Sequence, residues 1–137
     1  MNGDTIGKVR SPPVDARGIA KGDIIFVDFR FVRALIDIEG RIKETSKERP
    51  ALAIYTERRQ LVVAYITSKL LLVPDPADVS ILKSNPSFEK TGLKNSSIIK
   101  LGVLYTVSRD DVLGWLGSLD DALRNEINTK LAACFRI

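Results

Sequence analysis

The chain has no histidine and a single cysteine, Cys134, among its 137 residues. One thiol cannot form an intramolecular disulfide, and the usual nitrogen and sulfur ligands of a zinc site are missing. The absence of histidine also excludes serine or cysteine triads and histidine-pair ribonuclease chemistry, because imidazole is the proton carrier in each. Any catalysis must therefore use Arg, Lys, Thr, Ser, Tyr, Asp or Glu, and we expect neither a metal nor a cofactor.

Long apolar runs are missing as well. No run approaches the roughly 20 residues of a membrane-spanning helix, and the first residues lack the apolar centre of a signal peptide. We therefore expect a cytoplasmic protein with no membrane partner.

The composition is that of an ordinary folded domain, with 45% hydrophobic and 28% charged residues. A chain of this length can bury a core without disulfides or metals. The net charge of +4 suits a polyanionic partner only weakly, because acidic and basic residues are mixed along the sequence. Charge alone does not assign a function.

Five segments are rich in β-branched and aromatic residues and are bounded by turn residues, which predicts strands. They cover residues 21–32, 50–56, 61–68, 78–83 and 96–107. Gly102 interrupts the last run, where a bulge or bend would let one strand serve two parts of a curved sheet. Strands in series without intervening helices predict an antiparallel sheet that closes or nearly closes.

Helical signals appear only near the end of the sequence. Ser118 with Asp121 resembles a capping box, and apolar residues recur behind it at intervals of four. That stripe consists of Leu123, Ile127, Leu131 and Phe135. The fold class is thus predicted to be mainly β with a C-terminal helix.

The remaining segments contain glycine, proline or mixed charges and predict connections. Residues 1–20 are expected to form a flexible extension, leaving one domain over residues 21–137. Residues 33–48 predict a hairpin tip or mobile loop, residues 85–95 a loop, and Ser108 the cap of a short turn.

Polar residues stand at the ends of the two central predicted strands. Arg49 precedes a proline where one strand begins, and Thr67 and Ser68 close the next. Each is ordinary by itself, since arginine flanks many strands and threonine favours them.

Their order along the chain resembles the MazF/PemK family of toxins from toxin-antitoxin systems. The segments that carry the resemblance are GDIIFVDF, ERPALAIY, AYITSK, TGLKNSSIIKL and LGSLDDALRNEINTKL, spread over residues 21–135. The resemblance implies a small SH3-like antiparallel β-barrel of the CcdB/MazF/PemK type, usually a homodimer, paired with a cognate antitoxin. It also implies a metal-independent endoribonuclease that cleaves single-stranded RNA, with Arg49 and Thr67 as the catalytic residues.

The two residue types fit this chemistry. RNA can be cut by its own 2′-hydroxyl, so the protein needs to align the backbone, stabilise charge on phosphate oxygens and move protons. Arginine offers planar charged donors that fork onto phosphate, and threonine offers a stiff hydroxyl donor. Pro50 holds Arg49 extended, whereas Glu48 points to the other side of the strand and is expected to be solvated.

Further RNA contacts are expected by position. Ser68, Ser97 and Lys100 lie beside the predicted strand ends, and Tyr105 offers a ring for base stacking. A basic surround is expected from four residues, Lys43, Lys47, Arg58 and Arg59.

Two positions depart from the family pattern. Ser96 stands where an aspartate is frequent, and Tyr105 where an arginine is frequent. An alternative is therefore a catalytically inactive or CcdB-like binding module that targets DNA gyrase or nucleic acid. A third reading is a nucleic-acid-binding housekeeping barrel without toxicity.

Overall fold

The computed structural model describes residues 18–29, 35–36, 42–43, 48–69 and 73–137. These residues form eight strands and two α-helices, with a 3-10 turn at Arg109–Asp111. The strands are β1 (Asp23–Asp28), β2 (Leu35–Ile36), β3 (Ile42–Lys43), β4 (Glu48–Thr56), β5 (Gln60–Thr67), β6 (Asp78–Ile81), β7 (Ser97–Ser108) and β8 (Val112–Ser118). The helices are α1 (Phe88–Thr91) and α2 (Asp121–Cys134).

Six strands form one antiparallel sheet in the order β6-β7-β5-β4-β1-β8, and β2 and β3 pair separately. The predicted strands at residues 50–56 and 61–68 form a hairpin, β4 and β5, at the centre of the sheet, and β6 is a short strand at its edge. The predicted fold class, mainly β with a C-terminal helix, is confirmed. Residues 33–48, predicted as a hairpin tip or mobile loop, contain the two-residue strands β2 and β3, which pair with each other.

One face of the sheet, here called the helix-side face, packs against α2. Alternate residues of β1, β4 and β5 point to it, as the period of two along a strand requires. The buried cluster contains Ile24, Phe26, Leu52, Ala64 and Ile66 from these strands, with Leu123 and Ile127 from the helix. Leu131 packs at its margin, so the predicted helical stripe is confirmed up to this residue.

The two ends of α2 differ from the sequence prediction. Asp120, not Ser118, caps the helix, because its Oδ1 accepts a hydrogen bond of 2.9 Å from the Leu123 amide. Ser118 is the last residue of β8. Phe135 lies beyond the helix and is 49% exposed, so the stripe does not extend to it.

The other face, here called the far face, bears a second buried cluster. Its residues come from β1, β4 and β5 and also from Val107 on β7 and Val112 and Trp115 on β8. Since β7 and β8 are separated by three strands in the sheet, they can share a cluster only if the sheet curls around it. The 3-10 turn makes this corner, and Ser108 caps it as predicted by accepting from the Asp110 amide at 3.1 Å.

The bend predicted at Gly102 is confirmed by the register between β5 and β7. Ala64 pairs with Leu104, whereas the next residue, Tyr65, pairs with Lys100. The three intervening residues of β7 form the irregularity, which lets β7 pair with β6 at one end and turn toward β8 at the other.

The strand β8 and the single helical turn α1 were not predicted from the sequence. The helical turn lies in the segment predicted as loop and ends at Gly92, whose φ of 73° is left-handed. The predicted flexible extension lies largely outside the described residues, which begin at residue 18. No helix among the described residues is long and apolar enough to cross a bilayer.

Candidate active site

Arg49 and Thr67 lie on the far face at the same end of the β4–β5 hairpin. The ladder between these strands pairs Ala53 with Val63 and Ala51 with Tyr65. The ladder stops at that pair; if its register continued for two more residues, Arg49 would stand opposite Thr67. The two predicted residues therefore lie at the same end of the hairpin, and both are half-buried.

The strands part from each other at this point. The ladder between β4 and β5 ends at Ala51 and Tyr65. Arg49 continues in the sheet by pairing with Val27 on β1, and Thr67 by pairing with Ile98 on β7. Pro50 has no amide to donate, so it cannot carry a ladder toward β5. The place beyond the last β4–β5 pair, with Arg49 on one strand end and Thr67 on the other, is here called the opening.

The hydroxyl of Thr67 is oriented by the turn that follows it. Its Oγ1 accepts a hydrogen bond of 3.1 Å from the Lys69 amide. A hydroxyl has one proton and two lone pairs, so accepting here leaves the proton available to donate to a phosphate oxygen. The β-branched side chain adds stiffness about χ1.

The guanidinium of Arg49 forms no hydrogen bond or ion pair with any residue of the described part of the chain. The charge and the planar set of donors of this side chain suit an anionic ligand such as a phosphate. Glu48 pairs in register with Asp28 and points to the helix-side face, as alternation requires. Its carboxylate is aimed away from the opening.

Three aromatic rings contact one another on the far face. Phe29 is 5.4 Å from Tyr105 and 6.2 Å from Tyr65 between ring centroids, and the two tyrosines are 6.4 Å apart. All three contacts are edge-to-face, the arrangement that aromatic quadrupoles favour. Burial raises the pKa of Tyr105, and the nearby Tyr65 raises it further. Tyr105 is therefore neutral at ordinary pH and does not repel a phosphate.

Lys100 lies across from Tyr65 in the register between β5 and β7, but its ammonium is not presented to solvent. The residue is 5% exposed, and its Nζ lies 2.9 and 3.0 Å from the two Asp78 oxygens and 3.2 Å from Asp75. Burial lowers the pKa of Lys100, but the hydrogen bonds to Asp78 and Asp75 outweigh it, so the net shift is upward. Lys100 therefore has a partner within the fold in place of the expected exposed RNA contact.

Ser97 is also engaged within the protein. It is 4% exposed, and its hydroxyl donates to the Asn95 carbonyl oxygen at 2.7 Å. Ser96, the neighbouring departure from the family pattern, accepts from the Lys83 amide at 2.8 Å. These serines shape the start of β7, whereas Ser68 is exposed beside Thr67 and open to a ligand.

The expected basic surround is divided. Arg58 and Arg59 form the exposed turn of the β4–β5 hairpin, at the end opposite Arg49. Seven residues of strand separate Arg49 from the start of that turn, which at about 3.3 Å per residue is roughly 20 Å or more. This geometry excludes both arginines from the site. Lys47 and the side chain of Lys43 lie outside the described residues.

Sequence reasoning missed Tyr65. It stands two residues before Thr67 on β5, and alternation along a strand places it on the same face as Thr67. That signal was present in the sequence, in the alternation along the predicted strand that ends at Thr67.

Within the described ranges, no group of three or more His, Cys, Asp or Glu residues is arranged to hold a metal ion. On the far face, the described residues near this end of the hairpin offer the guanidinium of Arg49, the hydroxyl of Thr67 and the phenols of Tyr65 and Tyr105. Such a set can bind a phosphodiester, orient it and donate hydrogen bonds to it.

Solved structures share this fold. An endoribonuclease from a mycobacterial species has 17% sequence identity and a TM-score of 0.57, over 85% of this chain and 90% of that one. A mycobacterial endoribonuclease in complex with its cognate antitoxin has 17% identity and a TM-score of 0.59, over 86% of this chain and 95% of that one. The Mycobacterium tuberculosis toxin MazF-mt6 has 17% identity and a TM-score of 0.58, over 84% and 97%.

At this level of identity the structural likeness establishes the fold, and a family assignment has to come from the sequence. No curated protein sequence matches the chain. Residues 20–135, nearly the whole chain, match one protein family as a unit. The chain therefore belongs to the PemK-like, MazF-like toxins of type II toxin-antitoxin systems.

Proposed function

We propose that this protein is the toxin of a toxin-antitoxin pair and acts as a metal-independent endoribonuclease on single-stranded RNA. The observation that carries the proposal is that Arg49 and Thr67 lie on one face at the same end of the β4–β5 hairpin, just beyond its last pair, Ala51 and Tyr65. Family membership and the endoribonucleases that share the fold support it. They do not favour the alternative of a gyrase-targeting or inactive binding module.

The RNA supplies its own nucleophile, and Arg49 and Thr67 act on the phosphate while the proton is exchanged through solvent. The 2′-oxygen of one nucleotide bonds to the adjacent phosphorus while the bond from phosphorus to the 5′-oxygen of the next nucleotide breaks. The products are a 2′,3′-cyclic phosphate and a 5′-hydroxyl, and the proton lost by the 2′-hydroxyl is balanced by the proton gained at the 5′-oxygen. Arg49 forks onto the two non-bridging oxygens as their charge grows, and Thr67 donates to one of them.

Ser68 and Tyr105 are proposed to contact the RNA beside this phosphate. Ser68 is exposed next to Thr67, and Tyr105 is half-buried in the aromatic group that adjoins the site. Polar contacts to the RNA backbone fix its register, whereas an aromatic ring binds a base.

The partners follow from the same proposal. A cognate antitoxin, bound in one structure that shares the fold, would cover the opening with an acidic segment suited to a toxin of net charge +4. A homodimer in the cytoplasm is proposed as well. Leu104 and Leu113 on strands β7 and β8 are 38% and 46% exposed and offer apolar surface that a second copy can cover.

The test is cleavage of single-stranded RNA by purified protein in EDTA, with mass analysis of the product ends. Arg49→Ala and Thr67→Val are each expected to lower kcat by about 100-fold or more, the usual effect of losing one donor to a transition-state oxyanion. Thr67→Ser restores the hydroxyl and is expected to recover most of the rate. Arg58→Ala is the matched control, because it removes the same charge from the far end of the hairpin.

Intact RNA after incubation of varied single strands with the wild-type protein would overturn the proposal. An equal loss of activity in Arg58→Ala and Arg49→Ala would show that only net charge matters. Thermal unfolding of every variant identifies losses that come from misfolding.

A further inference from the structure

The aromatic group of Phe29, Tyr65 and Tyr105 is only partly buried. Phe29 is 1% exposed, whereas both tyrosines are half-buried. Part of each tyrosine therefore reaches solvent, and alternation along β5 sets Tyr65 on the same face as Thr67. The group joins the buried cluster of the far face to the candidate active site.

The ring of Tyr65 lies beside a small side chain. In the sheet, β4 lies between β1 and β5, and Ala51 on β4 stands directly across from Tyr65. The methyl group of Ala51 leaves room for this ring, and Phe29, which follows the end of β1, contacts it. Edge-to-face contacts with Phe29 and Tyr105 then hold the ring of Tyr65 in place.

The spacing along β5 relates this ring to the reaction site. Tyr65 and Thr67 are two residues apart on one face, which is about 7 Å along a strand. That separation is comparable with the distance from a phosphate to the base of a neighbouring nucleotide. Across the hairpin, Tyr65 is diagonal to Arg49, so the ring adjoins both residues that would hold the phosphate.

The surroundings of Tyr65 favour stacking over charged contacts. The residue across from it on β7, Lys100, directs its ammonium to Asp78 and Asp75 and presents no free charge here. An aromatic face binds any unstacked base, and single-stranded RNA offers bases in that state. A ring already fixed by its neighbours also loses little conformational entropy when a base stacks on it.

We propose that Tyr65, braced by Phe29 and Tyr105, is a stacking platform for the base next to the cleaved phosphodiester. This inference rests on the proposed function and adds a substrate-positioning residue to it. Tyr65 aligns the nucleotide, whereas Arg49 and Thr67 act on the phosphate.

The first test is steady-state cleavage of a single-stranded RNA cut at one mapped bond. Tyr65→Ala is expected to lower kcat/KM by about tenfold, chiefly through a higher KM, because a stacked base contributes to binding. Tyr65→Phe keeps the ring and is expected to stay within about twofold of the wild type. Tyr55→Ala is the matched control, since Tyr55 is an exposed tyrosine near the hairpin turn and its hydroxyl bonds to Glu57.

An RNA with an abasic nucleotide beside the cleaved bond removes the other partner of the proposed stack, so that protein and RNA changes form a double-mutant cycle. The wild-type protein is expected to lose about tenfold on this substrate, and Tyr65→Ala is expected to lose little more. A loss in Tyr65→Phe as large as in Tyr65→Ala would overturn the proposal, because it would assign the effect to the hydroxyl. Equal abasic penalties in the wild type and in Tyr65→Ala would overturn it as well.

A binding measurement separates this proposal from the nuclease proposal. Thr67→Ala protein is mixed with single-stranded RNA in which 2-aminopurine replaces one base at a time. Stacking predicts that 2-aminopurine fluorescence is quenched at one position. This quenching should disappear in Thr67→Ala/Tyr65→Ala and persist in Thr67→Ala/Tyr65→Phe, and that result supports stacking even if the wild type cuts no RNA. Cleavage by the wild type without any Tyr65-dependent quenching would leave the nuclease and remove the platform.

Discussion

The ion pair between Lys100 and Asp78 allows a sharp test of the structure. Both side chains are buried, with 6% and 2% exposure, whereas Asp75, the second partner of Lys100, has a side chain that is 70% exposed. The distances are similar, so the two pairs differ mainly in burial. We predict that Lys100→Met destabilises the protein by about 3–5 kcal/mol, because it leaves a buried carboxylate unpaired.

The magnitude follows from what Asp78 retains. In the wild type its two oxygens accept from Lys100 at 2.9 and 3.0 Å, and one of them also accepts from the Asp75 amide at 2.9 Å. The methionine variant keeps only the amide. Asp75→Asn is the matched control and is expected to cost less than about 1 kcal/mol, because solvent screens an exposed pair. The double variant Lys100→Met/Asp78→Asn should cost less than the sum of its parts, since no charge is left unpaired.

Urea unfolding followed by circular dichroism at neutral pH measures these free energies, and the pH dependence supplies a second check. An unpaired buried carboxylate has a raised pKa, so Lys100→Met should gain stability as the pH falls. In the wild type the pKa of Lys100 is raised in the folded state. The stability that the Lys100 ion pair contributes is therefore complete below the ordinary lysine pKa and is lost as the pH rises through the pKa of the folded state. Equal and small costs for Lys100→Met and Asp75→Asn would refute the buried pair.

Two further predictions concern the backbone around the helices. Gly92→Ala is expected to cost about 2–3 kcal/mol by chemical denaturation, because φ is 73° there and a Cβ would overlap the Leu116 carbonyl. Gly102→Ala is its control, since the nearest atom to an added Cβ is 3.9 Å away, and an equal cost there would contradict the steric argument. Asp120→Ala should cost about 1 kcal/mol as a lost helix cap. The hydrogen bond from the Leu123 amide lowers the pKa of Asp120. Its contribution to the stability of the folded state is therefore present above the ordinary aspartate pKa and is lost as the pH falls through the folded value. If Asp120→Ala lost stability in acid to the same extent as the wild type, this role would be contradicted.

The central hairpin and the apolar face of α2 could be predicted because their signals are local. Alternating apolar residues flank a charged turn in β4 and β5, and a period of four marks the helix. β8 was missed because its short, glycine-containing sequence is stabilised by pairing with β1, far away in the chain. The cap at Asp120 was missed because Ser118 and Asp120 are both good capping residues, and tertiary packing decides between them.

The candidate site shows the same division between local and distant causes. The hairpin connection alone brings Arg49 and Thr67 to the same end of two neighbouring strands, and alternation alone assigns Tyr65 to the face of Thr67. The burial of Lys100 could not be read from the sequence, because its partner Asp78 lies 22 residues earlier and on the edge strand. A lysine near a predicted strand end is most often solvated, and only the paired edge strand removes this one from solvent.

The position of Pro50 links the fold to the proposed chemistry. Proline in a central strand is unfavourable because it cannot donate to the ladder, yet here the ladder toward β5 already ends one residue later, at Ala51. Toward β1, the register still pairs Pro50 with Phe26, so the end of β4 remains anchored on that side. The strand that bears Arg49 is thus held rigidly on one side and released on the other. Because this pairing anchors the backbone at Arg49, the residue can meet a phosphate without any rearrangement of the sheet, which favours preorganised electrostatic catalysis.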